Sequence, residues 1–444
     1  MAVPNNNDKL VKDVVRVLTV TGPRYYAAVA VLAAIAFFGL IVWINQVMKG
    51  LDVTGMSNSV AWGVYITNFV FFIGISLAGT LISAVLHITH AEWRRPITRA
   101  AEAVTVFALI FAMISILVDI GHPERFLNLF LFGPAGSPMI WDIFIVTMYL
   151  ISSAFYLYLS MIPDLAIMRD VFPAKSWRGI LYKILALGWE DTAEQKRKYK
   201  KAVSIIVVLI MPVAIMVHTV TAFIFGVTIR PGWHSTILGP YFVVTALFSG
   251  LAVISVALAV LRKVFKLENY LKPAHFSNLG KLLAIMSALW LYFTFAEFLT
   301  SAFAGHLDEM YVITSKLYGD FAIPFWGMIF CVAASFVVLI IKKINPIART
   351  VIAAVFITIA VWLERFLIIV PALTQPLSEG HKGGIYHVSF SEIFITTALL
   401  AGFILCYFIF VKLFPVISIL ELREAREAVP TAMEKIKSYL HDEE

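Results

Sequence analysis

Four titratable residues stand inside or directly beside long apolar stretches of this sequence, namely Asp119, His122, Asp142 and His218. A charged group at the centre of a membrane helix costs about 2.5 to 3.5 kcal/mol, so such residues need a partner, a water-filled cavity or a chemical role. Buried carboxylates and imidazoles can exchange protons near neutral pH. The set is therefore predicted to take part in proton-coupled chemistry among apolar helices.

A second group of residues is predicted to lie at the same depth and to orient a bound molecule or docking loops. These residues are Trp141, Arg125, Arg230, His234, Glu297 and Glu364. Three of these residues, and also His218, have a purely structural interpretation. Arg125 and Arg230 can be ordinary cations at helix ends. Glu364 can form a structural ion pair with Arg365, and His218 can hydrogen-bond a neighbouring helix.

Other polar residues are predicted at the opposite surface, where water and lipid head groups are at hand. They are His87, His90, Glu92, Trp93, Arg94 and Arg95, followed by Asp164, Arg169 and Asp170. Hydrogen bonds within loops and an orienting charge explain this group. Glu102 is an exception, because it can begin a proton path toward Asp119 on the same helix.

The composition indicates that membrane-spanning helices position these residues. Of the 444 residues, 60% are hydrophobic and only 14% are charged, whereas soluble domains carry about 25% charged residues. The chain is therefore predicted to be an all-α polytopic membrane protein and not a soluble globule. The ten predicted transmembrane spans are 25–48, 59–86, 101–120, 138–162, 203–229, 235–262, 278–304, 321–342, 347–372 and 389–414.

Several cofactor classes are disfavoured by the sequence. Cys331 and Cys406 both lie inside apolar runs, so the chain is expected to hold no iron-sulfur cluster. Only His218 lies well inside a span, which disfavours b-type haem. No metal-ligand spacing, phosphate-cradling loop or catalytic triad stands out. The net charge of +7 indicates topology and not nucleic-acid binding.

The positive charge alternates along the chain. Of the 35 Lys and Arg residues, 28 fall in or beside alternate connections and only 5 in the intervening ones. This pattern predicts a multi-pass protein of a prokaryotic cytoplasmic membrane with both termini in the cytoplasm. The predicted organisation is a cytoplasmic segment 1–24, a transmembrane domain 25–414 and a cytoplasmic amphipathic segment 415–444. Amphipathic helices are expected at Lys9–Val20 and Ile417–Leu440.

Spans 2–5 and 6–9 run in the same orientation and show weak self-similarity. Small residues recur in spans 2 and 6, where they allow helices to approach closely; they are Gly74, Ala78, Gly79, Ala246, Ser249 and Gly250. A parallel internal repeat is predicted, giving two four-helix bundles, spans 2–5 and 6–9, plus two peripheral helices, spans 1 and 10.

A lipid-soluble quinone is the ligand that best suits this set of residues. Its head group needs hydrogen-bond partners at two oxygens, a titratable group and an apolar route for its tail. Asp119, His122, Asp142 and His218 supply the polar part. Because the chain has no redox centre of its own, an iron-sulfur partner subunit is expected on the outer loops 121–137, 230–234, 305–320 and 373–388.

The residues that carry this prediction also resemble a known family, the NrfD/PsrC membrane subunits of polysulfide-reductase-like enzymes. The first half resembles it in DIGHPER from Asp119, PMIWD from Pro138, and IPDLA from Ile162 through Arg169 and Asp170. The second half resembles the long ten-helix branch in VHTV (217–220), PGWHSTI (231–237), PYF (240–242), AEF (296–298) and WLERF (362–366). The resemblance runs from about residue 60 to 410, and the combination is specific.

This resemblance implies a haem-free menaquinone or menaquinol site near the outer face, beside a ferredoxin-like iron-sulfur subunit of a respiratory complex. The branch includes DsrP- and HmeB-type subunits and the ActC-type subunit of alternative complex III. In the latter, a histidine stands where this chain has Asp119, and an arginine often replaces His122. These departures favour the DsrP or HmeB side. Glu297 and Glu364 would then belong to a second-bundle proton path.

Two other functions remain open from the sequence alone. A secondary transporter of a small solute would explain the repeat and the intramembrane carboxylates. However, Pro212 is the main internal helix breaker, and the charges lie away from the membrane centre. A purely structural anchor for a soluble enzyme would need none of the titratable residues.

Overall fold

The chain is all α-helical in a computed structural model, which describes residues 6–88, 92–376 and 383–424, apart from the side chains of 6–8, 84–88 and 92. These ranges hold fourteen α-helices and no β-strand. The helices are α1 Asn6–Thr19, α2 Pro23–Lys49, α3 Val64–Ile88, α4 Thr98–Asp119, α5 Asn128–Phe132, α6 Pro138–Val171, α7 Trp177–Leu185, α8 Ala193–Gly226, α9 Leu238–Val264, α10 Pro273–Ala304, α11 Leu307–Leu317, α12 Ala322–Ile340, α13 Pro346–Thr374 and α14 Phe390–Leu413.

Ten of these helices are long and apolar enough to cross a membrane, namely α2, α3, α4, α6, α8, α9, α10, α12, α13 and α14. They follow the ten predicted spans in order, so the prediction of an all-α polytopic membrane protein is confirmed. The protein is a multi-pass integral membrane protein.

Two of the helices extend nine or ten residues beyond the predicted spans. Helix α6 continues nine residues past position 162 with Pro163 inside it, and α8 begins at Ala193, ten residues before the predicted start. Hydropathy marks only the apolar part of a helix, whereas capping groups mark its end; Thr192 caps α8 by accepting a hydrogen bond from the Gln195 amide. Asp164 consequently lies in a helix and is fully buried, not in a cytoplasmic loop.

The packing follows the predicted arrangement of two bundles. Helices α3, α4, α6 and α8 pack together, as do α9, α10, α12 and α13, and α3 against α9 forms the main junction. Helices α2 and α14 pack on each other at the periphery. Gly79 lets α3 approach α4 closely, and Gly250 does the same for α9 and α3, because a Cβ at either would overlap atoms of the neighbouring helix. Helix α3 is almost entirely buried at the centre.

The two ends of the bundles differ in character. We call the end at which α4 finishes and α6 begins the pocket face. The opposite end, the basic face, carries α1, α7 and the segment 415–424. The predicted N-terminal amphipathic helix is present as α1, with Leu10, Val14 and Leu18 buried. Residues 425–440 of the predicted C-terminal helix and residues 377–382 of the last predicted docking loop lie outside the described residues.

Polar contacts at the basic face link α4, α6 and the segment 415–424. Arg99 forms a buried ion pair with Asp164, which also accepts the amides of Ile419 and Leu420. Arg94 pairs with Glu421 at 3.3 Å. These contacts agree with the structural interpretation of this group. His90 and the side chains of His87 and Glu92 lie outside the described part of the chain.

Candidate functional site

A cavity of about 400 Å³ opens at the pocket face between α3, α4, α6 and α8. Asp119 and Asp142 both line it, and Arg125 and Asn128 stand among its lining residues. The remaining wall is mostly apolar and includes Trp62, Ile66, Phe69, Ile116, Leu129, Phe132, Met139, Ile143, Ile224 and Phe225. The structure thus brings two of the four predicted catalytic residues, and one predicted binding residue, into one pocket.

The chain path explains why the two carboxylates meet. Asp119 is the last residue of α4, and Asp142 lies in the second turn of α6, so both flank the connection 120–137. Gly121 turns the chain away from α4 with a φ of +72°, a conformation that favours glycine. Pro138 occupies the first turn of α6, where its missing N–H costs nothing. Antiparallel neighbours joined in this way place the two side chains at one depth.

The two carboxylates have different surroundings. Asp142 is only 3% exposed, and its Oδ1 accepts a hydrogen bond of 2.7 Å from Thr221 Oγ1. Asp119 is half-buried, and its buried Oδ1 has no hydrogen-bond partner. Arg125 is exposed. The pocket therefore offers unfilled acceptor positions in an apolar wall, close to a cation.

Four other predicted residues lie outside this pocket. His122 is exposed and pairs with Glu124 at 2.9 Å, and His234 is also exposed. Trp141 donates to the Ala135 carbonyl and points away from the cavity, because adjacent helical residues face directions about 100° apart. Arg230 reaches the carbonyls of Ser59 and Gln375 at 3.3 and 3.4 Å, respectively.

His218 lies deeper than the pocket and is 2% exposed. Its Nδ1 is 2.7 Å from the Ala214 carbonyl and its Nε2 is 3.0 Å from the Ile73 carbonyl. Both ring nitrogens thus face backbone carbonyls, one of them on α3; a neutral imidazole donates to one of the two carbonyls, and an imidazolium to both. This geometry favours the alternative interpretation, in which His218 joins two helices.

A second, much smaller cavity of about 40 Å³ lies at the pocket-face end of the other bundle. Glu297, Glu364 and Lys316 line it, together with Tyr241 and Thr294. One carboxylate oxygen of each glutamate is buried without a hydrogen-bond partner. The structure therefore separates Glu297 and Glu364 from Asp119 and Asp142.

Glu364 and Arg365 do not form the direct ion pair that was one interpretation of their adjacency. Glu364 Oε1 accepts hydrogen bonds from Trp290 Nε1 at 2.9 Å and from Thr245 at 3.3 Å. The Arg365 guanidinium instead stacks over the Phe242 ring, 4.4 Å from its centroid. Consecutive residues of a helix face different directions, so adjacency in sequence does not bring these side chains together.

Comparison with known proteins assigns the chain to a family. A family model described as Polysulphide reductase, NrfD matches residues 52–376. The chain belongs to the NrfD family. The matched region contains both bundles and both cavities of this NrfD protein, whereas α1, α2 and α14 lie outside it.

Three named relatives are similar to this NrfD protein. A provisionally named dimethyl sulfoxide reductase membrane subunit from Halobacterium salinarum is 32% identical over 67% of this chain and 65% of the relative. The chain thus spans slightly less than two thirds of that relative. A selenate reductase subunit from Mesobacillus selenatarsenatis is 26% identical, covering 79% and 83% of the two chains. The Hdr-like menaquinol oxidoreductase integral membrane subunit of Archaeoglobus fulgidus is 25% identical, covering 80% of each.

Gln46 and Tyr65 help to hold the end of α4 and were not predicted from the sequence. Tyr65 donates a 2.6 Å hydrogen bond to Gln46 Oε1, and Gln46 Nε2 donates to the carbonyl of Val118, directly before Asp119. Gln46 is one of only two buried residues on α2. The adjacent amides Asn45 and Gln46 near the end of an otherwise apolar span were the signal that could have identified it.

Glu392 forms a second unpredicted network at the pocket face. This fully buried carboxylate accepts hydrogen bonds from the amides of Gly55 and Ser389 and from the Tyr386 hydroxyl at 2.6 Å. Tyr386 in turn accepts the Val64 amide at the start of α3. Burial and the neighbouring Glu392 raise the pKa of Tyr386, which keeps its hydroxyl a donor. The network ties α14 to the connection before α3.

Proposed function

We propose that this chain is the membrane subunit of a respiratory oxidoreductase complex and binds menaquinone or menaquinol in the first cavity. The observation that carries the proposal is the pair Asp119 and Asp142 in one largely apolar pocket. The fit is supported by the unpartnered Oδ1 of Asp119, since a buried acceptor without a donor matches a ligand hydroxyl. The relative from Archaeoglobus is named as a menaquinol oxidoreductase subunit.

The side chains in the pocket have separate tasks in this proposal. A bound quinol supplies two electrons and two protons. Asp142 accepts a proton at Oδ2, because Thr221 holds its Oδ1. Asp119 accepts the other at its free Oδ1. Apolar walls from α3 and α8 exclude water and receive the head group, and Arg125 contributes positive charge.

The pocket face also indicates the orientation of the protein in the membrane and the docking place of a partner subunit. We place the pocket face on the non-cytoplasmic side, because the basic face carries most of the cationic residues. Electrons then pass to an iron-sulfur subunit docked beside the pocket, where Leu131 and Phe132 of α5 are 70% and 80% exposed. Further redox subunits are expected, since two relatives are named as subunits of reductases. The direction of transfer depends on the partner.

Two separate hydroxyl clusters favour an additional role in proton transfer through the first bundle. Ser83 donates to Glu102 Oε1 at 2.8 Å and lies 2.8 Å from the Tyr156 hydroxyl. Further along, Tyr149 donates to Thr80 at 2.7 Å. These groups extend from the basic face toward the pocket, as expected if Glu102 starts a path to Asp119 on the same helix.

The test is quinol oxidation by the purified complex carrying Asp142→Asn. We expect a loss of at least about 100-fold, because general acid-base catalysis contributes about 10²- to 10⁴-fold. Asp52→Asn is the matched control: it removes an exposed carboxylate at the same face. Equal activity of the two variants would overturn the proposal. Carbodiimide labelling gives a second measurement, since a bound quinone analogue should protect Asp119 and Asp142 but not Asp52.

A further inference from the structure

A third opening lies at the depth of the membrane-spanning helices, between the pocket face and the basic face. This crevice has a volume of about 310 Å³ and is bounded by α9 and α13 on one side and α14 on the other. Phe72 and Phe403 are buried in its floor with ring centroids 5.7 Å apart. Its hydroxyls are satisfied, because Tyr407 donates to the Ala100 carbonyl and Thr358 to the Ala354 carbonyl. The crevice is therefore suited to a purely apolar occupant.

The crevice is open toward the lipid. Val355 and Ile359 on α13 and Leu400 and Ile404 on α14 form its rim and are 37% to 48% exposed. Its lining on α14 runs from Leu400 to Phe408. At 1.5 Å per residue this is a length of about 12 Å. One half of a hydrocarbon core is about 15 Å thick, so the crevice matches a chain from a single leaflet.

One end of the crevice approaches the basic face. Phe408 stacks on Tyr25 at 6.1 Å, and Tyr25 lies 6.2 Å from Phe265 just after α9. Lys263 and Lys266, on either side of Phe265, are both exposed. A molecule in the crevice would therefore have its polar end beside two cations.

We propose that the crevice holds one acyl chain of an anionic phospholipid from the leaflet at the basic face, with the head group beside Lys263 and Lys266. Exposed cations at a membrane surface attract anionic lipid. A quinone suits the site less well, because its head group needs polar partners, whereas the lining residues include no carboxylate or histidine and their two hydroxyls already have acceptors. This inference does not depend on the function proposed for the first cavity.

The test is lipid retention by the whole complex, measured by native mass spectrometry after delipidation and incubation with vesicles of phosphatidylglycerol or phosphatidylcholine. We expect one phosphatidylglycerol per chain and little phosphatidylcholine. Ala257→Phe, which fills the crevice, and the double variant Lys263→Gln/Lys266→Gln should each reduce retention at least fivefold. The lysine pair alters no buried side chain, so it tests the proposal even if Ala257→Phe does not assemble.

Matched controls are Ile151→Phe on the lipid-exposed side of α6 and the double variant Lys175→Gln/Lys201→Gln at exposed sites. Both should retain phosphatidylglycerol as the unaltered complex does. The proposal is overturned if both test variants retain lipid at that level, if menaquinone vesicles compete the phospholipid away, or if the added mass is a second copy of the chain.

Discussion

The two bundles enclose cavities at the same end of the molecule, built from corresponding helices but very different in size. In the first, Asp119 ends the second helix of the bundle, Arg125 follows in the connection, and Thr221 faces them from the fourth helix. In the second, Glu297 and Lys316 take the comparable places, opposite Glu364. The volumes are about 400 and 40 Å³. A carboxylate and a nearby cation thus recur in both, while only one cavity can accept a ring.

The connecting segments account for much of this difference. After α4, the longest helix in the connection is the five-residue α5, whose Phe132 is 80% exposed. After α10, the eleven-residue helix α11 brings Lys316 into the second cavity and buries Val312 against Gly232. Tyr241 and Thr294 occupy further space there, joined by a 3.0 Å hydrogen bond. The comparison indicates that the connection, more than the bundle, determines whether a cavity stays open.

The largest effect should come from replacing both carboxylates of the first cavity with amides. The same change in the second cavity provides the comparison. We expect Asp119→Asn/Asp142→Asn to reduce quinol oxidation about 1000-fold or more, because both proton acceptors are lost. Glu297→Gln/Glu364→Gln should reduce it less than tenfold, since that cavity is too small for the head group. Steady-state rates of the two purified double variants provide the measurement. A similar loss in both would show that the second cavity is part of the same reaction.

A smaller effect is expected from Thr221→Val. This change removes the hydrogen bond to Asp142 and leaves the shape of the wall nearly unchanged. A hydrogen bond to a charged group contributes about 1.5 to 3 kcal/mol, so quinol oxidation should fall about tenfold or more. Thr219→Val is the control on the same helix, because Thr219 bonds only to the Ile215 carbonyl. Equal rates for the two variants would show that Thr221 does not contribute to quinol oxidation.

Gln46→Leu should have a milder effect, about fivefold on quinol oxidation. It removes the hydrogen bonds that hold the end of α4, each contributing about 1 kcal/mol. Asn45→Leu on the same helix serves as the control. Tyr65→Phe removes one of the same bonds and should show the same direction with a smaller change. Full activity in Gln46→Leu would mean that Asp119 is positioned without α2.

The smallest effect concerns the charge of Lys316 in the second cavity. Burial lowers the pKa of Lys316 to about 8, and the opposing charge of Glu297 limits the decrease. Its amine should become reactive toward an acylating reagent as the pH rises through about 8, whereas an ordinary lysine requires a pH near 10.4. Labelling followed by peptide mass spectrometry from pH 6 to 11 measures the midpoint. Glu297→Gln should move the midpoint lower, and an unchanged midpoint would show that the charge of Glu297 does not act on Lys316.

The sequence predicted what depends on hydropathy and chain connectivity. The ten spans were predicted in the right order, and Asp119 and Asp142 meet as expected because one short connection joins their helices. The positions of His122 and His218 could not be predicted in this way. Rotation about a helix or loop decides whether a side chain faces a cavity, and hydropathy does not report that rotation when both sides are apolar or exposed. Glu392 was missed because the contact that links it to the connection before α3, with the Gly55 amide, lies far away in sequence, although Ser389 and Tyr386 are close by.

The burial of α3 has a consequence for the order of assembly in the membrane. Thr67 and Ser76 can satisfy their hydroxyls on their own helix, at the carbonyls of Gly63 and Ile73, so they tolerate a lipid environment before neighbours arrive. Asn68 cannot, because its amide bonds to Trp362 on α13 and Thr396 on α14. Both helices follow α3 in the chain, with six other membrane-crossing helices between α3 and α13. The side-chain amide of Asn68 therefore lacks these two partners until α13 and α14 have entered the membrane.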